Sequence, residues 1–225
     1  MHKFTEKEIK ELYHTKVKKD ALYFSKKLIK CPLKCWNYNW SMHDAPRCFS
    51  IMDFITWVEK YNLKHVKVLN VTNKKDPELE FITSDKINEF PYEYEKGGND
   101  LHNFHNKEKC DFFIFNQTIE HLYNPFTCIK NIYDNVNNGG YVFTSVPTNV
   151  IPHDTPIHFA NWTPMGLAML FKTNGFEIKE IGQWGNKNYI HYSFGEKHDF
   201  PDVIKCGSHN EELNICGCWI LAQKV

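Results

Sequence analysis

The chain has 225 residues, 42% hydrophobic and 24% charged, with 27 basic side chains against 27 acidic ones. That is enough for one globular domain with a sizeable core, and the balanced charge lacks the basic footprint of a nucleic-acid-binding surface. No apolar run approaches the ~18 residues that span a bilayer, and the lysine-rich start has no signal-type core, so a soluble, cytoplasmic protein without a membrane partner is expected.

Residues 3–30 carry Ile9, Leu12, Tyr13, Val17, Ala21, Phe24, Leu28 and Ile29 at spacings of three and four, which predicts one or two helices. Their expected role is to cover a sheet edge, with a lid over a ligand as the second reading. The stretch from Cys35 to Arg47 holds two tryptophans, Met42, His43 and Asp44, a composition costly to expose unless it walls a site. A helix is expected from Ser50, as N-cap, to Tyr61.

Val66 to Val71 reads as the first strand, and it runs into V-T-N-K-K-D-P with no glycine before Gly97. Only about nine residues separate Thr72 from the next apparent strand, fewer than the dozen or more of a usual parallel crossover, so the first helix is expected to be shortened or lost. Glu80 to Asp85 reads as the second strand, ending on Asp85. Asn99-Asp100-Leu101-His102 follows as a loop.

From Phe112 to Gln117 the chain has no charge, as in a strand buried on both faces of a parallel sheet. Asn116, Gln117, Glu120 and His121 then crowd its carboxyl end, where open α/β sheets bind ligands. Asn124-Pro125 predicts a helix start, and Asn138-Gly139-Gly140 its end. Tyr141 to Val146 is the next buried strand. Thr163-Pro164 opens another helix that Gly175 ends, Phe176 to Gly182 is a strand, and Ile215 to Ala222 is apolar enough to be the last.

Eight cysteines offer no CxxC pairs. Reduced, mostly buried thiols are expected, with a zinc site on Cys31, Cys35, Cys48 and a histidine as the alternative.

The order D-x-x-x-x-x-Q-x-x-E-H-L-x-x-P from Asp111, then helix, G-G-Y, strand and V-P, resembles the second half of the class I S-adenosylmethionine-dependent methyltransferases of the small-molecule branch. The likeness spans roughly residues 66–225. It implies a doubly wound α/β fold with a seven-stranded, mostly parallel sheet and an antiparallel last strand, preceded by an N-terminal helical segment and lid (1–62) on a single α/β unit (63–225).

The resemblance further implies S-adenosylmethionine as cofactor, held by Asn70, Thr72, Asp85, Asp100, Leu101, Asn116 and Gln117. In it, Asp85 takes the ribose hydroxyls and Asp100 the adenine amino group. Thr72 stands where the family's first glycine does. The stretch from Val150 to Pro164 resembles the family's substrate loop, with Glu120, Asp154 and Trp162 as acceptor contacts. The implied reaction is methyl transfer to an oxygen of a small metabolite or sugar. His121 is the first choice of base because its pKa suits proton removal near neutrality, with His153 and His158 as substitutes. Some quinone-pathway O-methyltransferases bind a metal through E-x-x-E-H here; Gln117 replaces the first Glu, so no metal is expected. The other reading is an inactive methyltransferase fold serving as a binding or regulatory partner, supported by the glycine-free turn at Thr72.

Overall fold

The computed structural model describes residues 3–21, 35–71, 76–90, 99–153, 157–195 and 200–225. Its sheet has six strands among them: β1 (Lys64–Asn70), β2 (Thr83–Glu89), β3 (Cys110–Ile114), β4 (Val136–Pro147), β5 (Phe176–Trp184) and β6 (Gly217–Lys224). They lie in the order β2-β1-β3-β4-β6-β5. β1 pairs in parallel with β2 and β3, and β3 with β4, whereas β6 runs antiparallel to both β4 and β5. The expected antiparallel last strand is therefore present. The expectation of seven strands is corrected to six among the described residues; residues 91–98, just before the Asp100 loop, lie outside them.

Alternation along the central strands explains the two layers of helix. Phe112 and Ile114 of β3 point into one core with Val68, Phe143 and Trp219. Phe113 and its follower Phe115 point into the other with Leu69, Val142 and Ile220. Because β3 buries both faces from Phe112 on, it is apolar there at successive positions, which is how a parallel central strand reads in sequence, with the charged Asp111 confined to its start.

The helices, in chain order, are α1 (Glu6–Leu12), α2 (Lys18–Ala21), α3 (Ala45–Lys60), α4 (Pro125–Asn135), α5 (Pro164–Thr173), α6 (Lys187–Ser193) and α7 (Val203–Cys206). Helix α3 covers the face that carries Phe112. Helices α4 and α5 cover the other, together with Val17 and Ala21 from the amino-terminal segment. That segment packs against β5 and α5, at the opposite edge of the sheet from β1 and β2. Residues 3–21 thus cover a sheet edge, the first of the two readings; residues 22–34 lie outside the description. No boundary of packing falls at residue 62, since α3 shares its core with the strands that follow.

Local signals set the helix ends. Asn124 caps α4 by accepting from Thr127 N, and Thr163 caps α5 by accepting from Gly166 N, each ahead of a first-turn proline. Helix α3 starts earlier than expected: Asp44, not Ser50, is its N-cap, and Ser50 is buried inside it. Among the described residues the β1–β2 crossover holds one four-residue 3-10 turn, Pro77–Glu80, in line with a first helix shortened or lost; residues 72–75 lie outside the description. Strand β2 begins and ends later than expected, because its first residue is Thr83 and its last Glu89. No helix among the described residues is long and apolar enough to cross a membrane.

Candidate active site

The carboxyl ends of β1 and β3 hold an unusual set of buried polar atoms. Asn70, the last residue of β1, is fully buried, and neither polar atom of its side chain has a hydrogen-bond partner among the described residues. Asn116, two residues beyond β3, accepts from the N–H and the hydroxyl of Ser145 at 3.0 Å each, yet its Nδ2 is unpartnered. That amide faces Asp76 and favours its charge without completing a hydrogen bond, and Asp76 Oδ2 is likewise buried and unpaired. Buried polar groups are nearly always satisfied, so several orphans at one strand end call for an explanation.

Next to them lies the only arginine of the chain. Arg47, near the start of α3, gives a two-pronged ion pair to Glu78, with both N···O distances 2.5 Å, and also donates to Ser50 and Ser145 at 3.2 Å. Asp76 stands 3.5 Å from the same guanidinium. Burial and the Glu78 charge push Asp76 up to about 7, against the opposing pull of Arg47.

Arg47 also forms one wall of a cavity of about 500 Å³, within the range of small-molecule sites. Its other walls come from Asp44, Gln117, Ser145, Tyr189, Trp219 and the exposed His153. Asp44, raised by burial, accepts from the Tyr189 hydroxyl at 2.5 Å. Gln117 has φ +49, a left-handed conformation uncommon outside glycine, and its Nε2 donates to the carbonyl and hydroxyl of Ser145. Strained backbone of this kind is tolerated where surrounding structure over-determines it, as at ligand sites.

The remaining sequence-predicted residues divide into three groups. Asp100 caps the turn Leu101–Asn103; its Oδ1 accepts from His102 N at 2.9 Å and lies 2.7 Å from His102 Nδ1, while Leu101 is buried in the core. The role given to Asp85 as the strand-ending carboxylate is corrected. It lies in the first half of β2, exposed, 3.0 Å from His65, and Glu89 ends that strand opposite Asn70. The signal for Glu89 was Pro91, which marks the strand end two residues on. Thr72 and Asp154 lie outside the described residues.

Glu120 and His121 form a 3-10 turn, Ile119–His121, rather than the start of a longer helix. Glu120 is buried, which pushes its carboxyl up to about 8, and its carbonyl accepts from Phe159 and Ala160 N–H, pinning the loop after β4. His121, lowered chiefly by burial, donates through Nδ1 to the Ile157 carbonyl at 2.9 Å and does not line the cavity. Its ring nevertheless sits 5.0 Å from that of His153 and 5.9 Å from that of His158, so the three histidines form one cluster. Trp162 packs on the α4–α5 core and is not among the residues lining this cavity. Among the described residues no group of three or more histidine, cysteine or acidic side chains is arranged to hold a metal ion. Cys48, Cys110, Cys128, Cys206, Cys216 and Cys218 are free and buried; Cys31 lies outside the description.

Sequence comparison with family models gives no match. Comparison with curated proteins gives none either. Solved structures do match the fold. The [4+2]-cyclase SpnF aligns with 11% identity over 82% of this chain and 87% of its own, at a TM-score of 0.51. A Bacillus halodurans protein described as a methyltransferase aligns with 12% identity over 77% of this chain and 99% of its own, at 0.50. The phosphoethanolamine N-methyltransferase 2 of Haemonchus contortus aligns with 9% identity over 80% and 53%, at 0.51. With the strand order and the antiparallel β6, these likenesses identify the fold as that of the class I S-adenosylmethionine-dependent methyltransferases.

Proposed function

We propose that the protein is an S-adenosylmethionine-dependent methyltransferase that modifies a hydroxyl of a small molecule or sugar held in the 500 Å³ cavity. The observation that carries this reading is the set of orphaned buried atoms on Asn70, Asn116 and Asp76. They are amide donors and acceptors and a carboxylate oxygen, the chemistry an amino-acid end of a ligand would satisfy, at the strand ends where open α/β sheets bind ligands. None of the three lines the cavity itself, and the Asn116 amide and Asp76 face each other, so Asn70 is the residue left to receive such an end of the cofactor that the fold implies. Glu89 offers a carboxylate to ribose hydroxyls from the end of β2, and Asp100 a carboxylate to the adenine amino group. When bound, the cofactor supplies an already activated methyl group on its sulfonium.

What the chain must add is orientation and removal of one proton. The cavity walls, Trp219 and Tyr189 among them, hold the acceptor. Among the three histidines His153 lines the cavity, so the role of base passes to it from His121. Removing a general base lowers turnover about a hundredfold or more, so His153→Ala should do so with cofactor binding intact, as initial rates and calorimetry would report.

Titration with S-adenosylhomocysteine tests the reading at its first step. Binding should weaken by roughly ten- to a hundredfold in Asn70→Ala or Glu89→Gln, the loss expected for one hydrogen bond to a charged or buried partner. A flat trace from a folded protein would favour the second reading, a methyltransferase fold that binds a partner without transferring methyl groups. That reading draws on the 3-10 turn where a crossover helix would stand. The likeness to SpnF is a reminder that this fold carries other chemistry.

A further inference from the structure

The cluster around His153 contains a hydrogen-bond chain whose proton positions can be deduced. Asn161 Nδ2 donates to the Val150 carbonyl at 3.2 Å, which sets the orientation of the amide and leaves its Oδ1 aimed at His158. That oxygen can only accept, so His158 Nε2, 3.0 Å away, carries a hydrogen. A neutral His158 then has a bare Nδ1. His153 Nδ1 lies 3.2 Å from it, and also 3.2 Å from the Ile151 carbonyl, a second group that can only accept. Both neighbours demand a hydrogen on His153 Nδ1. The remaining nitrogen of that ring, Nε2, is left with its lone pair free.

We propose that Asn161 and His158 are positioning residues that hold His153 in its Nδ1–H form, so that its Nε2 is the proton acceptor for the substrate hydroxyl in the adjoining cavity. This deepens the methyltransferase reading and rests on it. In the step itself the acceptor O–H bond breaks, its proton passes to His153 Nε2, its oxygen forms the new bond to the methyl carbon, and the carbon–sulfur bond breaks to leave the thioether product. The imidazolium that results keeps its Nδ1–H directed at His158, and it returns the proton to solvent, to which His153 is exposed. Other groups that face this ring are His121, 5.0 Å away ring to ring, and Glu120 behind it, whose Oε1 lies 3.8 Å from His121 Nε2. Neither is hydrogen-bonded to it among the described residues.

The test reads the tautomers directly, in the ligand-free protein, by long-range nitrogen–proton NMR of the imidazole rings above the histidine titration range. His153 should carry its hydrogen on Nδ1 and His158 on Nε2. In Asn161→Leu the His158 ring loses its anchor, so the Nδ1–H fraction of His153 should fall without vanishing, because the Ile151 carbonyl still accepts from it, while Asn161→Gln should restore part of the wild-type pattern. Finding the hydrogen on Nε2 of His153 in the wild type, or no change in Asn161→Leu when circular dichroism shows it folded, overturns the assignment. With an acceptor in hand, His158→Ala should lower kcat about tenfold or more with the KM for cofactor unchanged. The expected tautomers together with a flat S-adenosylhomocysteine titration would sink the methyltransferase reading and leave the tautomer assignment standing. The opposite pair of results would overturn the assignment alone.

Discussion

Asp53 shows how a single buried carboxyl sets a pH dependence. It lies within α3 with no exposure, accepts from Trp219 Nε1 at 2.8 Å, and burial pushes it up to about 8. The unfolded chain would release that proton near 3.8. Between the two values the folded chain holds the extra proton, so the stabilisation is complete below the unfolded value and is lost as the pH rises through about 8. Glu120, also raised to about 8 by burial, acts in the same direction. Denaturant midpoints should therefore fall between about pH 5 and about pH 8, and Asp53→Asn, which keeps the acceptor for Trp219 without the charge, should flatten the slope. An unchanged slope in that variant would show that Asp53 does not titrate in this window.

At the scale of elements, one cap and one glycine show where the chain tolerates little change. Thr163→Ala removes the side chain that receives Gly166 N–H at the start of α5 and should cost about 1 kcal/mol in chemical denaturation. Gly182 in β5 has a different task. A Cβ there would stand 2.1 Å from Trp219 Nε1 and 2.7 Å from Asp53 Oδ2, so the strand must omit a side chain for the indole to reach the carboxyl. Gly182→Ala should destabilise by more than the cap variant and shift the near-ultraviolet dichroism of tryptophan, since overpacking a rigid core costs about 1–3 kcal/mol. A neutral result would mean that α3 and β6 are free to move apart.

Across the whole molecule, the Arg47–Glu78 pair joins α3, the β1–β2 crossover and, through Ser145, the end of β4. Breaking a buried pair from one side leaves an uncompensated charge, at a cost of about 3–5 kcal/mol, whereas replacing both partners with apolar groups is often neutral. Arg47→Met should accordingly unfold at much lower denaturant, and Arg47→Met with Glu78→Leu should recover most of the loss. If the double variant is no better than the single one, the pair's worth lies in its contacts to the serines.

The alternation of apolar residues, the proline-led caps at Asn124 and Thr163 and the positive-φ Gly175 are local properties, and the sequence by itself determined the strands β3 to β6, the start of α4 and helix α5; the expected end of α4 at Asn138-Gly139-Gly140 is corrected to Asn135, because Val136 already pairs with Cys110 and those residues lie in β4. The sequence also brought His121, His153 and His158 forward as candidates, because histidine chemistry is visible in any context. Where those side chains point was decided only in three dimensions. His153 reaches the cavity and His121 does not, since the loop from residue 150 to 163 is pinned by the Glu120 carbonyl and by Asn161, contacts that no spacing encodes. The exposed β2 had too few apolar residues to set its register, so Asp85 and Glu89 exchanged places relative to the strand end. Arg47 left one readable trace, as the only arginine among many lysines. Its meaning, a planar fork fitted to a buried carboxylate thirty-one positions away, became legible only once the sheet had brought the two together.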